Sequence, residues 1–136
     1  MTETAAMEEL NGFIQQWTEN SARTKKAFLA LQSQLENKTD VKLDFVARPG
    51  LTYSLRAARA GQQSPLFVMI DVIEDEPRWL SVCFYGEMIS DPAEAGDLIP
   101  GGLLGEDGHC FDIEAYEDNQ LAYLEKRIEE AYARAG

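Results

Sequence analysis

Two nearly unbroken apolar runs, Leu66–Ile73 and Trp79–Tyr85, lie on either side of the short polar turn Glu74-Asp75-Glu76-Pro77. Such runs leave no polar side for water, so they suit strands in the middle of a sheet, covered on both faces. Any fold for this chain must therefore centre on that pair of strands. The remaining segments have to supply the cover.

One cover is legible at the N-terminus. From about residue 5 to 36, the stripe Leu10, Ile14, Trp17, Ser21, Thr24, Phe28, Leu31, Leu35 follows an alternating 4,3 spacing that keeps one helix face in register. Its two polar members fall together in the middle. An unbroken helix of this length would run about 46 Å at 1.5 Å per residue, whereas a compact domain of this size has a radius of gyration of about 14 Å. The helix is therefore expected to bend or break near Asn20–Thr24, or to pack its excess on another chain. The C-terminal helix, or a second subunit, is expected to supply the other cover.

Val41-Leu43-Phe45-Ala47 and Leu51-Tyr53-Leu55-Ala57 alternate with polar residues across Pro49-Gly50, the pattern of an antiparallel hairpin with one buried face. Pairing Ala47 with Leu51 keeps every apolar residue on that face. Asp91-Pro92-Ala93-Glu94 reads as the start of a short helix, with an N-cap, a proline at the first position and an acid three residues on. Pro100-Gly101 stops it. A glycine-rich loop over 101–108 leads into a short strand at 109–114. A final helix runs from about Asp118 to Ala135, with Leu121, Leu124, Ile128, Ala131 and Tyr132 on one face. The expected fold is α+β, a single domain over 1–136: an antiparallel sheet of four to five strands, with a long N-terminal helix and a C-terminal helix packed on it.

Charge is divided unevenly. Residues 1–68 carry a net +1 and residues 69–136 a net −13, within a total of −12. A balance this acidic repels nucleic acid and anionic lipid, so neither is an expected partner. No stretch of about 18 apolar residues is present to cross a membrane. MTETAAMEEL has acids where a secretory signal needs bases and an apolar run. The chain is accordingly expected to be cytoplasmic. Cys83 and Cys110 make neither a disulfide framework nor a zinc site, and are expected to be buried, reduced thiols. A bond between them across adjacent strands is the alternative, and nothing in the sequence selects it.

Candidate chemistry centres on His109, the sole histidine. It alternates with Phe111 and Ile113 on the apolar face of its strand, where a histidine is ordinarily a hydrogen-bonded core or boundary residue. A ligand or acid–base role would need partners from a loop, because Cys110 and Asp112 point to the opposite face. The acids Glu106, Asp107, Asp112, Glu114, Glu117 and Asp118 lack the order of a calcium loop and read as a solvated edge. Pro100-Gly101-Gly102-Leu103-Leu104-Gly105 has no following Lys-Ser/Thr and is no phosphate cradle. No catalytic set, metal site or cofactor is expected.

No family is identified from these residues. Size, acidity and the helix–sheet–helix layout resemble, as a loose analogy carried by no motif, small acidic secretion chaperones; the analogy implies an adaptor or chaperone-like role. The leading expectation is a non-enzymatic protein-binding domain, a homodimer with a protein partner, with Trp17, Phe28, Leu103 and Leu104 as candidate partner-binding residues. The second is a small-molecule or metal-binding domain, possibly an enzyme, with a pocket near the Gly101–His109 loop lined by His109, Tyr53, Trp79 and Tyr85.

Overall fold

A computed structural model describes residues 3–135, and side chains from residue 5 onward. It is α+β, with three helices and a six-stranded antiparallel sheet. The chain runs α1 (Glu3–Gln16), α2 (Thr24–Glu36), β1 (Val41–Arg48), β2 (Thr52–Arg59), β3 (Val68–Ile73), β4 (Trp79–Tyr85), a 3-10 turn (Gly86–Met88), β5 (Asp97–Leu103), β6 (Glu106–Ile113) and α3 (Asp118–Ala135).

The N-terminal helix is not continuous. It breaks over residues 17–23, where the stripe turns polar, and Arg23 takes a left-handed conformation (φ 59°). The break is well satisfied. Lys25 Nζ donates to the Trp17 carbonyl, at 2.7 Å, at the end of α1. The Glu19 carboxylate accepts the Lys25 and Lys26 N–H groups at the start of α2, where a helix leaves donors unpaired. Thr24, fully buried, donates its hydroxyl to the Arg78 carbonyl.

The sheet order is β1-β2-β3-β4-β6-β5. The expected strand count falls short because 97–103, read as a helix end and loop, forms the outer strand β5. No helix starts at Asp91: Glu94 adopts φ 51°, which ends any helical turn there. The β1–β2 register also differs from expectation. Ala47 pairs with Tyr53 and Phe45 with Leu55, two residues from the expected match. The loop is Pro49-Gly50-Leu51, so Pro49 takes the first corner and Gly50 (φ 84°) the second, with Leu51 N–H donating to the Arg48 carbonyl. That is the residue pattern of a type II turn. A shift of two preserves the face of every strand residue and leaves only Leu51 in water.

All three helices lie on one face. The row Phe45–Leu55–Ile70–Val82–Phe111 crosses five strands in register. Phe13 of α1 meets it at Phe45, and Tyr123 of α3 meets it at Phe111. Leu10, Phe28, Leu31, Leu35, Leu124 and Ile128 are fully buried in the resulting core. The expectation that cover arrives on both faces of β3 and β4 is thus met on one face only. On the other, no described element packs, and Met69, Cys83, Tyr85 and Cys110 are nearly inaccessible through their neighbours' side chains alone.

On that open face Cys83 and Cys110 are directly opposed and joined by a disulfide. This corrects the expectation of two reduced thiols. The pairing is invisible locally because β4 pairs with β6, skipping β5.

Candidate functional site

The segment between β4 and β5 is drawn onto α3 by polar contacts. Ser90 donates its N–H and hydroxyl to the Glu130 carboxylate, the hydroxyl at 2.7 Å. The Arg127 guanidinium donates to the Ser90 carbonyl, and Arg134 to that of Glu87. Met88 and Ile89 are buried beneath. The result sets Asp91, whose side chain is 8% exposed, beside the His109 ring.

Asp91 is the hub of this region. Its Oδ1 accepts the Tyr123 hydroxyl and the Ala95 N–H; its Oδ2 accepts the Gly96 N–H at 2.9 Å and lies 2.8 Å from His109 Nε2. An ionised carboxylate only accepts, so Nε2 carries the proton in this pair. Burial alone would push the Asp91 carboxyl up, but the hydrogen bonds from Tyr123, Gly96, His109 and Ala95 outweigh it and hold the group well below the usual carboxylate range. Gly96 is needed for the approach, since a Cβ there would stand 2.8 Å from His109 Nε2 and 2.7 Å from the Phe111 ring.

This geometry resembles the base-and-orienter half of a hydrolytic triad. Each oxygen of Asp91 already has two donors. The Nε2 edge of His109 is closed by Asp91 and Gly96, and its ring packs on Phe111 at 5.3 Å between centroids. The disulfide removes both cysteines as nucleophiles. The cluster fastens the 86–96 segment to β6 and α3. His109 is the hydrogen-bonded boundary residue that its strand position suggests.

The other expected pocket residues are dispersed. Tyr53 stacks on Phe13 at 4.3 Å and donates its hydroxyl to Glu74. Trp79 donates its indole N–H to Asp75 at the β3–β4 tip. Tyr85 lies at the opposite end of β4, where Leu98, Glu87, Glu106 and Asp107 join it around an open depression of about 430 Å³. Tyr53 belongs to a separate depression of about 360 Å³ with Phe13, Phe45 and Arg78. His109 lines neither.

Of the expected partner residues, Trp17, Phe28 and Leu103 are buried in the chain's own core, and Leu104 is exposed. Trp17 is occupied further. The Arg78 guanidinium sits over the rings of Phe13, Trp17 and Tyr53 at 5.1, 5.6 and 5.3 Å, and makes two hydrogen bonds to Glu74, at 2.7 and 2.8 Å. This box ties the end of α1 to the β3–β4 hairpin.

What sequence reasoning missed is the β5–β6 hairpin. Leu98 (61% exposed), Ile99 (42%) and Leu104 (49%) all belong to it, Leu98 and Ile99 on opposite faces, and among the described residues they are three of the five large apolar side chains left in water. Asp97, Glu106 and Asp107 are interleaved with them, and Glu87 adjoins. Pro100 brings no N–H to the outer strand, and the β5–β6 register breaks between Ile99 and Leu103. Both are features that blunt a sheet edge against indiscriminate pairing. No helix among the described residues is long and apolar enough to cross a membrane. Comparison with models of known protein families, with curated proteins and with solved structures finds no match for this chain.

Proposed function

We propose that this chain is a non-enzymatic protein-binding domain of the adaptor or chaperone-like kind, which engages a basic, apolar polypeptide segment through the β5–β6 hairpin. The observation that carries this reading is the exposure of Leu98, Ile99 and Leu104 on one hairpin surrounded by acids. Exposed apolar side chains bordered by charge are common at protein contacts. Residues 97–107 contain no base, so the partner that fits has lysine or arginine beside its apolar anchors. Pro100 and the broken register favour side-chain contacts over a long added strand.

A photo-crosslinking residue placed at Leu98, with the same residue at Leu29 on α2 as control, tests this. The expected result is a specific polypeptide adduct from position 98, mapping to a segment rich in lysine or arginine. Equal labelling from both positions, or adducts on acidic segments, would overturn the proposal.

A further inference from the structure

The open face of the sheet is a second surface, which meets the hairpin at Asp97, Ile99 and Glu106. Its side chains alternate with those of the core, so the strand register sets the pattern. One row reads Asp44–Arg56–Met69–Cys83–Cys110–Asp97, and the next Val46–Ser54–Asp71–Ser81–Asp112. The β1–β2 end carries Lys42, Arg48 and Arg56 with Asp44 as its one acid; the β5–β6 end carries Asp97, Glu106 and Asp112 and no base. Between them lie Met69, Cys83 and Tyr85, nearly buried, with Ile73 and Trp79 half-buried.

We propose that a second copy of this chain covers the open face, related by a two-fold axis that runs parallel to the strands above the boundary between β3 and β4. Such an axis lays β1 and β2 of one copy over β5 and β6 of the other, and β3 over β4. The basic end of each sheet then meets the acidic end of its partner, twice over, as an isologous interface requires. An axis across the strands would instead set like ends together. Aligned packing of two sheets, at about −30°, is a common solution for faces of this kind.

The centre of the face fits a covering layer. Asp71 lies between Ser54 and Ser81 in the register, and its Oδ1 is buried with no hydrogen-bond partner. The proposed axis sets Ser81 of the second copy opposite Asp71 across the interface. Six strands at about 4.8 Å spacing and about 20 Å of strand length give roughly 600 Å² per copy. Doubled, that is at the lower bound of specific interfaces, about 1,200 Å². A dimer with a micromolar dissociation constant is therefore the expectation.

Charge exchange tests it. R48E/R56E makes both ends of the face acidic, and D97K/D112K makes both ends basic. In sedimentation equilibrium the unmodified chain should dimerise, each variant alone should weaken dimerisation at least tenfold, and an equimolar mixture of the two should restore it as a heterodimer. Misfolded variants could not restore one another, so the mixture controls for folding. L98D/L104D should leave the dimer intact, because Leu98 pairs with His109 on the helix side of the sheet. A monomeric unmodified chain at these concentrations would leave the face to some other protein and overturn the proposal. So would a dimer insensitive to the exchanges, or variants whose mixture gains nothing.

Discussion

The carboxylate of Asp91 lies 2.8 Å from His109 Nε2, and 18 residues of chain separate them. The pair fastens the turn to the sheet and helix, because both carboxylate oxygens accept donors from the 91–96 turn, β6 and α3. Asp91→Ala would strand those donors and release the turn. We expect a loss of about 2–4 kcal/mol, and a smaller loss of about 1–2 kcal/mol for His109→Ala, which removes one contact. Urea denaturation of the two variants measures both, and the order of the two losses is the diagnostic.

Acid should find the same carboxylate. Asp91 has a lower pKa folded than unfolded, so its stabilising contribution is present above the ordinary carboxylate value of 3.8 and is lost as pH falls from there toward the depressed folded value. Stability measured between pH 5 and pH 2.5 should drop steeply in the native chain and less steeply in Asp91→Asn. Parallel acid limbs would contradict the assignment.

Asp71 behaves in the opposite sense. Burial holds its pKa above the ordinary value despite a hydrogen bond from Ser54 and the nearby charges of Arg56 and Arg48. The folded state therefore favours the protonated acid, and that stability is lost as pH rises through the folded pKa. Asp71→Asn should stabilise the isolated chain at pH 7 by about 1 kcal/mol, with the gain shrinking below pH 4. Thermal unfolding in a dilute, monomeric sample reads this directly.

The disulfide is checked by intact mass. Alkylation of the denatured chain without reductant should add nothing, and after reduction should add two adducts. Closing a separation of 27 residues gives up to about 3.5 kcal/mol by chain entropy. Denaturant midpoints with and without reductant should differ in that direction.

Much of the fold is legible locally. α3 begins at Asp118, where its sequence pattern starts, and the N-terminal stripe breaks where Ser21 and Thr24 interrupt it. β3 and β4 are written in their own apolar runs. What stays hidden is non-local. Asp-Leu-Ile-Pro-Gly-Gly reads as a helix end running into a loop, and forms β5 beside β6. The Cys83–Cys110 pairing requires knowing that β6 inserts beside β4. The Asp91 hub draws Tyr123 from 32 residues away, so no short motif announces it. The long-helix argument for a dimer contact lapses with the break in the helix, and the uncovered sheet face replaces it.

The most direct test of the binding role is the affinity of the segment captured at Leu98, titrated as a synthetic peptide against the native chain and L98D/L104D. Each buried leucine anchor contributes about 1.5–3 kcal/mol, so the account predicts at least a tenfold loss in the double variant with its fold intact by circular dichroism. Equal affinity for the two proteins would contradict it.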